Sequence, residues 1–211
     1  MMDAGYPVQF SVDYPARPLD RLSTAFRVFT VIPIAIVLAT VAGSTWQSSD
    51  RSGSMVVAAG AGGLLFLGPL LMILFRQKYP RWWFDWNREL LRFTNRVTAY
   101  LALMDDRYPS TDEEQSVHLD FPYPDVPREL NRWLPLVKWF LAIPHYVVML
   151  ALLVASIVVV LFGFVAVLFT GEYPAGPRNF LVAAYRYNLR VQTYVGLLTD
   201  QYPPFALNAA V

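Results

Sequence analysis

The sequence predicts an all-α integral membrane protein of two parallel repeats, each a short strand, a transmembrane helical hairpin and an interfacial amphipathic helix. Three observations lead there. Apolar residues make up 55% of the chain and charged residues only 16%, against about 45–50% and about 25% in soluble domains. Three long stretches carry no charge, and short stretches of text recur in the same order in both halves.

The strands come first. Gln9, Ser11 and Asp13 alternate with Val8, Phe10 and Val12, and His118 and Asp120 alternate with Val117, Leu119 and Phe121. Period-two alternation marks half-buried strands. A lone strand leaves its edges open, so residues 8–13 are expected to pair with 117–121 on the cytoplasmic side.

The membrane segments follow. Val28 to Trp46 is 19 residues without charge, and a second stretch, apolar from Met55, runs to Phe75. Each matches the roughly 20 residues that cross a bilayer core, which predicts a hairpin over 28–75. After Lys138 no Asp, Glu, Lys or Arg occurs until Glu172, 33 positions. That is long for one crossing helix and short for two. With hairpins in both regions, 16 of the 17 basic residues share one face, as the positive-inside rule prefers. The economical expectation is a second hairpin over about 134–171, turning near Ala155-Ser156, with four spans and cytoplasmic termini. A single crossing is the alternative. The N-terminus carries Asp3 and no basic run before an apolar one, so the first span is expected to double as the insertion signal.

Internal repetition organises the chain. Val8 to Pro15 aligns with Val117 to Pro124 at an offset of 109, and Arg27-Val-Phe29 and Ile32-Pro33 align with Lys138-Trp-Phe140 and Ile143-Pro144 at 111. Tyr79-Pro80, Arg92, Arg96, Tyr100 and Asp106 match Tyr173-Pro174, Arg186, Arg190, Tyr194 and Asp200 at 94. The first repeat is read as 1–110, an acidic linker as 111–116 and the second repeat as 117–211. The offset falls by 17 inside the apolar region, so the second half has lost a loop and some helix.

The amphipathic helices are read over 81–104 and 177–198. Trp82, Trp86, Leu90, Phe93, Val97, Tyr100 and Met104 form one stripe, beside Arg88, Arg92 and Arg96. Phe180, Ala184, Tyr187, Val191, Tyr194 and Leu198 form the other, beside Arg186 and Arg190. An aromatic stripe next to an arginine row suits a helix lying in the interface plane. These five arginines are the candidate lipid-headgroup contacts, since arginine grips phosphate bidentately.

Several classes of chemistry are disfavoured. There is no cysteine, which removes disulfides, thiol nucleophiles and thiolate metal sites. Two histidines leave little for imidazole ligation, and a net charge near +1 argues against nucleic-acid binding. His145 is the one ionisable side chain within the long uncharged run, and such residues are functional candidates. The first half has Ile34 there, which favours a structural hydrogen bond. Asp85 and Glu89 share a helix face with arginines and read as ion pairs. Asp105, Asp106 and Asp200 read as turn residues bonding their own backbone, and His118 as a solvated strand residue. Gly60, Gly62 and Gly63 read as a helix-packing surface.

Arg81 to Phe93, Asp106-Arg-Tyr-Pro109, Leu134 to His145 and Leu168 to Pro174 resemble the bacterial membrane-protein family catalogued as domain of unknown function 4389. The resemblance implies an integral membrane protein, often duplicated, with no assigned activity and no catalytic residues. The expected role is a non-enzymatic scaffold or accessory protein of the bacterial plasma membrane, without cofactor or metal. Its expected partners are membrane lipids and a protein partner or a second copy of the chain. The alternative is a transporter of lipid or small molecules, or a lipid-handling protein, built from parallel repeats.

Overall fold

Phe10 and Leu119 sit opposite each other where the two halves meet. In the computed structural model, which describes residues 6–15, 17–42, 47–49, 55–57 and 67–207, β1 (Gln9–Val12) pairs antiparallel with the later strand Val117–Asp120, and Ser11 lies opposite His118. Val8, Phe10, Val117, Leu119 and Phe121 are buried, while Gln9, Ser11, His118 and Asp120 are exposed. The alternation seen in the sequence is the pleat of a two-stranded sheet with one covered face.

The other elements are α1 (Arg21–Ala42), β2 (Gln47–Ser49), β3 (Met55–Val57), α2 (Leu67–Arg76), α3 (Arg81–Leu101), β4 (Val117–Asp120, the partner of β1), α4 (Val126–Glu129), α5 (Leu134–Leu141), α6 (Ile143–Thr170) and α7 (Ala175–Val195). They stack in three layers. α3 backs β4 and α7 backs β1; α1 then packs on α3, and α6 on α7 and α1. The main core, with Phe10, Phe84, Leu119, Leu181 and Leu189, fills the space between the strands and the middle helices. A smaller cluster of Val31, Ile34, Phe93, Val97 and Tyr100 joins α1 to α3.

The apolar regions depart from the hairpin expectation. Residues 143–170 form one 28-residue helix, about 42 Å long at 1.5 Å per residue, and nothing turns at Ala155-Ser156. The break falls earlier, at Ala142, between α5 and α6. Pro144 there lacks an N–H and crowds the carbonyl four residues back. The helix ends at Gly171, whose φ of 78° fits a left-handed cap and whose N–H bonds Val167 O at 2.8 Å. In the first half, Met55–Val57, expected as the start of a second span, is instead a strand paired with Gln47–Ser49. Helix is described there only over Leu67–Arg76, and the packing surface assigned to Gly60, Gly62 and Gly63 lies outside the described residues.

The ends of these regions show their course. Leu19 N, just before α1, donates to Gly171 O after α6 at 2.9 Å. Arg132, before α5, donates to Gln77 Oε1 after α2 at 3.2 Å. The chain enters each apolar region where the other one leaves, and α1 runs antiparallel to α6.

α1 and α6 are long and apolar enough to cross a membrane. Only 11% and 17% of their most apolar stretches are buried within the chain. Thr24, Arg27, Val31 and Ile34 form the narrow buried stripe of α1, and Phe29, Ile36, Leu150, Val158 and Phe162 are among the side chains left bare.

Gly163 is where α6 admits the turn into α7. A Cβ built there would lie 2.2 Å from the ring of Tyr173, which is buried and donates its hydroxyl to Val159 O at 3.1 Å. Gly163→Val should lower stability by about 1–3 kcal/mol, the usual cost of overpacking. Gly176→Ala, with open space around it, should be near neutral. Denaturant melts of the detergent-solubilised protein check both, and Tyr173→Leu should recover part of the Gly163→Val loss.

Candidate functional site

Two buried cations anchor the ends of the helical layers, and both are held in the same way. Arg27, 2% exposed, donates to Tyr100 O at 2.7 Å and Asp105 O at 3.0 Å, pairs with Asp106 and lies 4.5 Å above the Tyr100 ring. Lys138, fully buried, donates to Thr199 O at 2.7 Å, pairs with Asp200 at 2.6 Å and lies 4.8 Å above the Tyr194 ring. Each carboxylate also accepts a backbone N–H ahead of the next helix, from Asp20 at 2.7 Å and from Asn131 at 2.5 Å. Burial pulls the Lys138 ammonium below the usual lysine range, and the charge and hydrogen bond of Asp200 only partly offset this. The expectation that Asp106 and Asp200 bond their own turns is corrected: they reach across to a different helix. Asp105 does bond its own turn, accepting Arg107 N at 3.1 Å. The signal for the clamps was present in the aligned pairs Arg27/Lys138 and Asp106/Asp200.

The arginine rows turn inward, toward the strands. Arg92 Nε donates to Leu119 O at 2.8 Å, and Arg186 Nε and Nη2 donate to Phe10 O at 3.3 and 3.1 Å. Phe10 and Leu119 are register partners, so the two arginines cap matching carbonyls on the two strands. Arg96 Nη1 donates to Ser110 O and Arg190 Nη1 to Ala206 O, both at 3.1 Å. Arg96 is 8% exposed and Arg190 1%. Arg88 pairs with Asp85 and Glu89, both at 3.5 Å. Strand and loop carbonyls thus supply most of the acceptors of the five arginines read as headgroup contacts, because α3 and α7 are middle layers. Asp85 and Glu89 form the ion pairs expected of them.

His145 is buried, with Nδ1 2.6 Å from the hydroxyl of Tyr187 and its ring stacked on Phe205 at 4.1 Å. Tyr202 closes a third side at 4.9 Å. At the matching positions of the other half, Ile34 and Phe93 pack together in the small apolar cluster. A hydrogen-bonded pair on one side thus stands where an apolar pair stands on the other. His118, on the exposed strand face, pairs with Asp13 at 2.9 Å.

An open groove of about 530 Å³ runs beside the strands, lined by Gln9, Ser11, Arg92, Arg96, His118 and Arg186 among others. Two apolar clefts of about 310 and 390 Å³ open between the helical layers. Among the described residues no cluster of three or more His, Asp or Glu has the geometry to hold a metal ion.

Two tests follow. Asp200→Asn should cost about 3–5 kcal/mol by stranding a buried ammonium, and Lys138→Met with Asp200→Leu should cost less than that single change. Since the folded-state pKa of Lys138 is depressed, the folded form binds fewer protons below the ordinary value of 10.5. Stability should therefore rise with pH through that window and lose this slope in Lys138→Met. At the other pair, Tyr187→Phe should cost about 1–3 kcal/mol by leaving Nδ1 without its partner. Adding His145→Ile, which recreates the Ile34/Phe93 pairing, should restore most of it. Chemical denaturation of the four variants measures the coupling.

No curated protein and no solved structure matches the chain. Residues 133–206, which hold α5, α6, α7 and the Asp200 turn, match a family described as a domain of unknown function, DUF4389. This is the family that the sequence motifs resemble, and the match lies within residues 133–206.

Proposed function

We propose that the protein is a non-enzymatic scaffold or accessory protein of the bacterial plasma membrane. In this reading it is built of two repeats and lies on the membrane through the α1–α6 layer, presenting its strand face to a protein partner. The observation that carries it is the one-sidedness of the layers. Leu150, Leu153, Val154, Ile157, Val158 and Leu161 are bare along α6, and each such side chain moved from water to hydrocarbon contributes about 1.5–3 kcal/mol. The strands lie abreast of the same helix. Arg178 and Arg186 of α7 bond Val12, Asp13 and Phe10 carbonyls, while α7 runs along α6 from Tyr187 at His145 to Tyr173 at Val159. An α6 crossing the bilayer upright would bring the exposed Asp13, held by Arg178 and paired with His118, toward mid-membrane depth. Open sheet edges facing lipid do not occur there, and a carboxylate costs about 2.5–3.5 kcal/mol at that depth.

A flat placement also keeps the basic residues and both termini on one, cytoplasmic, side, as the positive-inside rule favours. The two-repeat reading is supported by the clamps and carbonyl-capping arginines, which recur at the offsets of 111 and 94. The non-enzymatic reading is supported by the use of the candidate acids, since Asp85, Glu89, Asp106 and Asp200 are all engaged with cations of the fold. Lipid handling remains the second reading, favoured by the two apolar clefts between the layers.

The chain lacks cysteine, so single cysteines can report depth. Spin labels at Val147, Val158 and Phe169 should all sit at one shallow depth, about 5–10 Å into the interface. Ser11→Cys should react with a water-soluble maleimide on membrane-bound protein. A depth profile that passes from surface to bilayer centre and back along α6 would sink the flat placement.

A further inference from the structure

The groove beside the strands draws its cations from both halves: Arg92 and Arg96 come from α3 and Arg186 from α7. Their donors are unequally used. Arg92 is neutralised, with Glu89 at 2.8 Å and Asp120 at 3.5 Å as well as the Leu119 carbonyl. Arg96 and Arg186 bond only uncharged carbonyls among the described residues. Arg96 is more than nine-tenths buried, and its Nε has no hydrogen-bond partner. The acids of the groove are Asp120, already paired, and Glu114, exposed. His118 is engaged with Asp13.

We infer that this groove is a binding site for a phosphate or phosphomonoester group. A guanidinium carries five N–H donors in a fork that matches a tetrahedral oxyanion. Arg186 uses Nε and Nη2 on one carbonyl oxygen and keeps Nη1, while Arg96 uses Nη1 on a loop carbonyl and keeps Nη2. Two guanidinium charges without a carboxylate, at one cavity with room for a phosphate ester, favour an anion. The polar side chains of Gln9 and Ser11 on the wall add neutral hydrogen-bonding groups. The site stands whether or not the membrane reading does. Within that reading it lies on the strand side, away from the α1–α6 layer, so the phosphate is that of a soluble ligand rather than of the supporting membrane.

The test uses the full chain in phosphatidylcholine nanodiscs, titrated calorimetrically with inorganic phosphate and glycerol phosphate at ionic strength fixed by potassium chloride. Saturable binding with one site per chain is expected. Arg186→Gln should weaken it at least tenfold. Because Arg186 also caps β1, a second variant away from the packing is needed, and Glu114→Gln, which removes a negative charge at the rim, should tighten binding about threefold. Heats indistinguishable from those of chloride, or one affinity shared by wild type and both variants, would overturn the site. Discs containing phosphatidic acid separate the two sources of phosphate. If lipid headgroups compete with soluble phosphate there, and Arg186→Gln abolishes the competition, the groove stands and the flat placement fails. If the variants bind phosphate like wild type while the spin-label depths stay shallow, the groove fails and the placement stands.

Discussion

A cation removed from water must be given acceptors, and in this chain the acceptors are mostly backbone carbonyls. Arg27 and Lys138 each take a carbonyl from the turn after α3 or α7 as well as a carboxylate. Arg92, Arg178 and Arg186 take carbonyls of the strands. The effect is mechanical. A two-stranded sheet with free edges is marginal in water on its own, and these bonds tie its carbonyls to the two helices behind it. Without them α3 and α7 would have little reason to present arginine to the strands, and α1 and α6 would have no ordered layer to pack on. The clamps then fix the ends: a buried ion pair broken on one side costs several kcal/mol, so each holds an apolar helix against the turn after α3 or α7 in its own half.

The two halves use this plan with different fillings. The turns after α3 and α7 both carry leucine in the left-handed region, Leu103 and Leu197, each at φ 64°. Both leucines are nearly fully buried, so apolar packing offsets a backbone conformation that costs an L-residue roughly 1–2 kcal/mol. Where the halves diverge, they diverge in pairs. Ile34 meets Phe93, whereas His145 meets Tyr187, and a change of polarity at one partner is matched at the other. This is the pattern expected when an unmade buried hydrogen bond costs more than a made one contributes. It gives His145 a structural reason for its place that calls for no chemistry.

Part of this was readable from the residues. The strand pairing followed from alternation, because a two-residue period has one physical cause. The aligned text set Arg27 beside Lys138 and Asp106 beside Asp200, and the ion pairs of Asp85 and Glu89 showed as helical spacing. The clamps were visible only as unconnected halves: Asp106 and Asp200 look like turn residues because aspartate before a turn usually bonds locally, and nothing in spacing along the chain reveals a partner about 80 or 60 positions away. The arginine rows were legible as rows and illegible in direction. A lipid phosphate and a strand carbonyl are both oxygen acceptors, and an amphipathic pattern does not say which of them faces the polar stripe.

The same ambiguity governs the apolar helices. Length and hydropathy test whether a helix could cross a bilayer, and α6 passes both. They are silent on what lies beside it. A crossing helix needs apolar surroundings over its whole middle third, on every side that is not packed against protein, and the protein packed there must itself end in apolar surface. Here the outward path from α6 through α7 runs, by way of Arg178, to Val12 and the exposed Asp13. Hydrophobicity therefore changes across the layers, along the direction perpendicular to the helices, and hardly at all along their length. A bilayer presents its own gradient along its normal. In the placement proposed above, matching the two gradients sets the helix axes in the plane of the membrane, and a helix of transmembrane length serves as the floor of a one-sided domain.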